Sequence, residues 1–316
     1  MSQLDRLREM TVIVADTGEI DEIKKYKPTD ATTNPSLILK ASGIDEYQSL
    51  ITEAVAYGKE RVPGDPLHAI ITKIFVNFGT EILKIIPGRV STEVDARLSF
   101  DVKGSIAKAR EYVRLYEEVG IDRERILIKL ASTWEGVVAA KELQKEGISC
   151  NMTLMFGLVQ AVACADAGAT LVSPFVGRIL DWYKKAENRE GYPPREDPGV
   201  LSVTEIFNYY KKFDYPTQIM GASFRNAGEI TELAGCDLLT ISPSLLKELS
   251  ETEGEVPEKL SVSAAKKGKT EKITVDEKRF RYMLNENAMA TEKLAEGIRN
   301  FAKDTVKLEK VIEARL

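Results

Sequence analysis

Residues 126–155 read ILIKLASTWEGVVAAKELQKEGISCNMTLM, and this stretch decides the fold. Ile126 to Ala131 is a short β-rich run. Helical periodicity follows from Glu135 to Glu146, Gly147 stands where a left-handed C-cap is expected, and a second β-rich run covers Ser149 to Met155. A strand, a capped helix and another strand in immediate succession argue for parallel pairing. The same rhythm extends in both directions. Further β-rich runs lie at 11–16, 30–34, 89–95, 170–176, 217–223 and 238–243. Helices are expected at Ser105–Val119 before Gly120 and at Phe156–Ala167 before Gly168. About eight such strands is the number that closes a parallel (β/α)8 TIM barrel. An open doubly wound sheet is the alternative, but no GxGxxG or GxxxxGK[ST] loop accompanies any strand.

Strand side chains alternate between faces, so the parity of polar residues tests the barrel. Asp16, Glu93, Lys129, Asn151, Ser173, Ser223 and Ser242 fall near the C-terminal ends of their strands, on the face expected to point inward. The other parity, with Ile13, Val90, Ile128, Met152, Val172, Met220 and Ile241, suits a face covered by helices. In such a barrel, active sites are built at the C-terminal end.

The chain has 316 residues, 43% hydrophobic and 29% charged, which is ample for a large core and excludes disorder and fibres. A net charge of −5 leaves no basic surplus for nucleic acid or an anionic membrane, so an anionic ligand must be held by a few placed cations. The segment from Pro66 to Pro87 is the most apolar, yet Lys73, Asn77 and Glu81 put a polar stripe along it, as on an amphipathic helix and not a membrane span. The N-terminus lacks the apolar stretch of a signal peptide. The single histidine, His68, reads as a solvated helix residue and removes imidazole triads and HExxH zinc chemistry. Cys150, Cys164 and Cys236 show no CxxC spacing and suit buried thiols in a reducing cytoplasm, with no metal and no cofactor. Residues 251–275 read as a charged loop or hairpin. Residues 276–316 read as C-terminal helices packed on the barrel through Leu294, Ile298, Phe301 and Leu308, so that 1–316 forms one domain.

Lys129 carries the most information. It lies in the middle of a run expected to be buried, where desolvation disfavours an ammonium, and an uncharged amine attacks carbonyls. The bland alternative is a structural lysine paired with a carboxylate at the barrel mouth. Schiff-base chemistry needs proton transfers at two places, and with no spare histidine the inward carboxylates Asp16 and Glu93 are the natural groups. Arg178 and Arg225 follow late strands, beside Ser223, where phosphate sites of this fold are commonly built.

The segments VADTG (14–18), DATTNPSL (30–37), PGRVSTEVD (87–95), IKLASTW (128–134), CNMTL (150–154), SPFVGR (173–178), MGASFR (220–225) and LAEGIR (294–299) resemble the transaldolase family from near residue 11 to the last helix. Residues 65–78 and 255–275 follow the family only loosely. The resemblance implies a circularly permuted class I aldolase barrel with Lys129 on the fourth strand. It also implies a cofactor-free transferase of the pentose phosphate pathway that moves a dihydroxyacetone unit between sugar phosphates. It makes Lys129 the imine-forming residue, assigns Asp16 the C4 hydroxyl proton, and gives Glu93 and Thr153 the water at the imine. Asn34, Asn151, Ser173 and Phe175 would hold the dihydroxyacetone unit, and Arg178, Ser223 and Arg225 the phosphate. Sugar phosphates are then the partners, with no nucleic acid or membrane, and a homodimer is allowed. The rival readings are a fructose 6-phosphate aldolase, which releases dihydroxyacetone, and a catalytically idle phosphosugar-binding barrel. Asn151-Met152-Thr153 also matches a glycosylation acceptor, a coincidence in an interior strand.

Overall fold

A computed structural model describes residues 1–316. Eight parallel strands close in sequence order: β1 (Val12–Asp16), β2 (Asp30–Thr32), β3 (Val90–Glu93), β4 (Ile126–Ala131), β5 (Cys150–Met155), β6 (Leu171–Pro174), β7 (Gln218–Gly221) and β8 (Leu238–Ile241). All eight expected strands are present. The pairing of β1 with β8, from Val12 opposite Leu238 to Ala15 opposite Ile241, closes the sheet and excludes the open alternative. Three of the connecting helices, Val102–Glu118, Trp134–Lys145 and Leu158–Asp166, match the expected segments. Gly120, Gly147 and Gly168 just beyond them all have positive φ.

The barrel interior is filled in its lower part by Val14, Leu127, Leu171, Met220 and Leu238, all buried. These side chains make a dry floor beneath the C-terminal mouth. Six of the seven expected outward residues lie among the helices, but Met220 does not: it points inward, while Ile219 joins the outer core. The parity reading thus fails on β7. Ser223 reaches the mouth because its backbone turns left-handed just past the strand end, with φ 62°, which resets the alternation. Ser242 is a second correction. It occupies the N-cap position of the helix Pro243–Glu251 without capping it by its side chain, its hydroxyl being turned to Ser244, and Thr240 is the inward hydroxyl of β8.

Two of the three residues on the polar stripe of the helix Leu67–Leu83 are covered, while Glu81 is half-buried and pairs with Lys84. Lys73 and Asn77 are buried against the preceding helix Gln48–Arg61, Lys73 pairing with Glu53 at 3.3 Å and Asn77 donating to the Leu50 carbonyl at 2.9 Å. Covering the stripe with a neighbouring helix turned its polar atoms into tertiary contacts. His68, near the start of that helix, is exposed with its ring 2.6 Å from Lys108 Nζ. The three cysteines are buried and unpaired. No helix is long and apolar enough to cross a membrane.

The 251–275 stretch contains no hairpin. It carries a short helix, Val262–Lys267, and is tied to the helix Pro198–Lys212 by Tyr209, whose hydroxyl donates to the Ile273 carbonyl and accepts the Ile273 N–H. The C-terminal run divides into Glu277–Glu286 and Ala288–Glu313. The break falls at Asn287, whose side chain caps the second helix through Ala290 N–H at 3.0 Å.

Close approach between helices is tightest beside β3. A Cβ at Gly79 would overlap the Tyr116 hydroxyl, which bonds Thr92 Oγ1 at 2.6 Å on the outer face of β3. Gly79→Ala is therefore expected to displace Tyr116 and lower stability by ~1–3 kcal/mol, the usual cost of overpacking. Denaturant titration checks this, and an unchanged midpoint would show that the helices give way without loss.

Candidate active site

Above the dry floor, the C-terminal ends of the strands surround a cavity of about 370 Å³. Four larger clefts, of about 1180, 1270, 510 and 720 Å³, lie elsewhere on the surface, and none encloses a buried ion pair. The cavity is lined by seven of the expected residues, Asp16, Asn34, Lys129, Ser173, Phe175, Arg178 and Ser223.

Lys129 stands on β4 in register with Glu93 of β3 on one side and Asn151 of β5 on the other. Its side chain is almost wholly enclosed, with the residue 4% exposed. The ammonium lies 3.0 Å from Glu93 Oε2 and donates to the Thr33 carbonyl at 3.2 Å. Glu93, 3% exposed, sits behind the lysine and does not line the cavity. Asp16 enters from β1, where Thr32 Oγ1 donates to its Oδ1 at 3.1 Å and stands 2.9 Å from Thr240 Oγ1. Burial raises both carboxyl groups above the ordinary carboxylate range, and the Lys129 charge opposes that shift in each. The two acids therefore share one cation from different sides.

Next to this charge cluster runs a chain of neutral groups. Ser173 Oγ donates to Asn151 Oδ1 at 2.6 Å, and Asn151 Nδ2 donates to Ser91 Oγ at 3.0 Å. Asn151 and Thr153 lie beneath the cavity wall, so Ser173 is the member that faces the opening. The Thr153 hydroxyl is buried without a hydrogen-bond partner, and Glu93 Oε2 has no aligned one beyond its ion pair. Asn34 uses its side-chain oxygen to cap the helix Pro35–Ala41 through Leu37 N–H, leaving its amide nitrogen for the cavity.

At the outer end, Arg178 is held between two aromatic rings, its guanidinium carbon 4.8 Å from the Phe175 centroid and 5.3 Å from that of Phe301. None of its N–H groups makes a hydrogen bond or ion pair within the chain, although burial is the main cause drawing its pKa down. Stacking thus fixes the fork while leaving its donors free. Gly177, at the start of the helix Gly177–Ala186, permits this arrangement, since a Cβ there would overlap the Ser223 carbonyl and crowd the Arg225 side chain. Arg225 itself is exposed, outside the cavity lining, and forked onto Asp181 at 2.7–3.3 Å. Of the expected cations, only Arg178 is presented ready for an anion.

Thr32, Thr240, Met220, Ala222 and Phe301 also line the cavity but were not among the expected site residues. Inward parity could have flagged Thr32 and Thr240. Nothing local marks Phe301, which arrives from the helix Ala288–Glu313 far along the chain.

The family profile described as Transaldolase/Fructose-6-phosphate aldolase matches residues 13–312. The chain belongs to this family. A transaldolase from Protochlamydia amoebophila (strain UWE25) is 62% identical over 312 residues, covering 98% of this chain and 97% of that protein. Transaldolases from Methylococcus capsulatus (strain ATCC 33009 / NCIMB 11132 / Bath) and Rattus norvegicus are 59% and 58% identical, over 99% and 100% of this chain and 97% and 94% of theirs. In a transaldolase-family barrel of this sequence, the buried lysine and two raised carboxyls are the chemically distinctive feature.

The shared cation has a measurable consequence. A carboxyl raised by burial adds stability that is complete below its unfolded pKa of about 4 and is lost as pH rises through the folded value. Removing Lys129 takes away the charge that opposes this shift, so Lys129→Met should lose stability from pH 5 to pH 8 more steeply than the parent. Thermal melts across that range check it. Parallel slopes would mean that Lys129 does not hold Asp16 and Glu93 ionised.

Proposed function

We propose that this chain is a transaldolase that moves a three-carbon dihydroxyacetone unit from a ketose phosphate, such as sedoheptulose 7-phosphate or fructose 6-phosphate, to an aldose phosphate. The observation that carries the reading is the enclosed Lys129, paired with Glu93 on one side and accompanied by Asp16 in the same cavity. The buried thiols suit a reducing, cytoplasmic setting.

Lys129 passes a proton to Glu93 across their 3.0 Å contact, and the freed Nζ attacks the ketose carbonyl carbon. An N–H proton moves to the new alkoxide to give a carbinolamine, and Glu93 then donates its proton so that the hydroxyl leaves as water. Thr153, whose hydroxyl has no partner in the chain, is placed to hold that water. With the imine protonated, Asp16 takes the proton of the C4 hydroxyl. The C3–C4 bond breaks, the aldose phosphate departs, and the bonding pair enters the imine system as an enamine on Lys129. Attack of the enamine carbon on a second aldose aldehyde, with Asp16 returning the proton to the new hydroxyl, reverses the sequence. The dry floor of Leu127, Leu171 and Met220 keeps stray water from the enamine. Asn34 and the Ser173–Asn151 pair orient the hydroxyls of the bound unit, and Arg178 receives the phosphate with Ser223 beside it.

The rival is an aldolase that releases dihydroxyacetone, since the family description covers both activities. Full-length likeness at about 60% identity to proteins named transaldolase favours transfer. Fructose 6-phosphate supplied alone discriminates: steady accumulation of free dihydroxyacetone would favour the aldolase.

Borohydride reduction with a ketose phosphate should label Lys129 and no other lysine, and Lys129→Met should abolish transfer. Rapid quenching then separates the carboxylates. Asp16→Asn should accumulate an adduct of the intact ketose, whereas Glu93→Gln should slow formation of any adduct. The same species at the same rate in both variants would mean that the two acids act as one electrostatic unit.

At the phosphate end, Arg178→Met should cut kcat/KM for phosphorylated substrates by about 10- to 150-fold, the equivalent of a charge-assisted contact of ~1.5–3 kcal/mol. Use of unphosphorylated glyceraldehyde should fall less. The Arg225 variant should show the smaller effect of the two, because Asp181 already occupies its fork. Equal losses on both kinds of acceptor would make Arg178 structural.

A further inference from the structure

Directly behind the turn that carries Ser223 and Arg225 lie two carboxyl groups that the proposed chemistry does not use. Glu229 and Asp197 are enclosed, 0% and 1% exposed. Glu229 Oε2 accepts the Arg225 backbone N–H at 2.6 Å, while its Oε1 is buried with no donor. Asp197 caps the helix Pro198–Lys212, its Oδ1 accepting the Gly199 and Val200 N–H groups at 2.7 and 3.3 Å, and its carboxyl meets that of Glu229. Two enclosed carboxyls in contact repel if both ionise. One proton held between them gives Glu229 Oε1 the partner it otherwise lacks.

The turn in front of this pair is held at several points, among them the core-packed Phe224. Ser223 adopts φ 62°, and its carbonyl accepts the Gly177 N–H at 2.8 Å. The Arg225 side chain is committed to Asp181 and reaches Ser223 only through long contacts of 3.3–3.4 Å. Together with the Gly177 N–H bond to Ser223 and the core-packed Phe224, the Arg225 N–H bond to Glu229 ties this turn to the enclosed wall of the barrel.

We infer that Glu229, backed by Asp197, is a positioning residue for the phosphate end of the site, pinning the turn so that Ser223 faces an anion held by Arg178. This rests on the reading of Arg178 as the phosphate ligand. Around the pair, the charged neighbours are Arg225 from the turn and Asp181 from the helix Gly177–Ala186. Burial, with Asp197 adding to it, pushes Glu229 up to about 7.

Sulfate is the probe, because it stays a dianion through the neutral range whereas sugar phosphates titrate within it. Its competitive Ki against fructose 6-phosphate is measured for the parent, Glu229→Met, Glu229→Gln and Arg178→Met. Borohydride trapping of unphosphorylated dihydroxyacetone on Lys129 runs alongside as a readout that needs no anion site. Glu229→Met should raise the sulfate Ki and the KM for fructose 6-phosphate about tenfold, with trapping as fast as in the parent. Glu229→Gln, whose amide accepts from Arg225 N–H and donates to Asp197, should restore binding. A parent-like Ki in Glu229→Met, a parallel loss of trapping, or a Gln variant as weak as Met would each overturn the positioning role. Should the Met variant not fold, the Gln variant decides alone, since a sulfate Ki well above the parent's in it overturns the proposal. Sulfate inhibition indifferent to Arg178→Met would instead remove the phosphate reading beneath it.

Discussion

An ammonium and a carboxylate 3.0 Å apart inside a barrel are costly to desolvate, and the Lys129–Glu93 pair persists only because each charge has the other. That constraint orders the rest of the mouth. Lys129 and Glu93 come from adjacent strands in direct register, so the pair is set by the sheet and not by flexible loops. Thr33 supplies the lysine with a backbone carbonyl, and Asp16 supplies a second carboxyl held by the Thr32 and Thr240 hydroxyls. An apolar floor below and neutral hydrogen-bonded side chains beside the pair exclude bulk water, which strengthens every interaction within the cavity. The same exclusion raises the Asp16 and Glu93 carboxyls above their ordinary values, with the Lys129 charge opposing the shift in each.

The outer end is built on a different principle. Arg178 is held by stacking between Phe175 and Phe301, which leaves its hydrogen-bonding edge uncommitted. Arg225 is instead neutralised by Asp181, and its backbone is anchored by a buried acid. One guanidinium is thus presented and the other is held nearby by groups an arriving anion would have to compete with. The long C-terminal helix is part of this device, because Phe301 lies both in the cavity lining and against the arginine. The helices after the eighth strand are therefore more than an outer layer on the barrel.

Much of the fold was legible along the chain for local reasons. β-rich runs, helical periods and glycines with positive φ at Gly120, Gly147 and Gly168 are each set by near neighbours, and they were sufficient to place eight strands and a parallel closed sheet. Lys129, Asp16 and Glu93 stood out because ionisable residues in buried strands are costly unless used. Where the local rule was interrupted, the reading slipped. On β7 a left-handed residue just beyond the strand changed which side Ser223 faces, and along 67–83 only the fold showed that a neighbouring helix covers Lys73 and Asn77 of the polar stripe.

The sequence by itself determined the alternation of strand and helix, the inward face of most strands, and the presence of a lysine with two carboxylates at one end of the barrel. Strand parity and helix capping are short-range steric and hydrogen-bonding effects, so they are written within a few residues. Tertiary structure alone decided that Glu93 stands behind Lys129, that Asp181 engages Arg225, that Phe301 closes on Arg178, and that Glu229 meets Asp197. Those contacts join residues tens to more than a hundred positions apart. Their geometry follows from the register and closure of the whole barrel, which no local window of sequence contains.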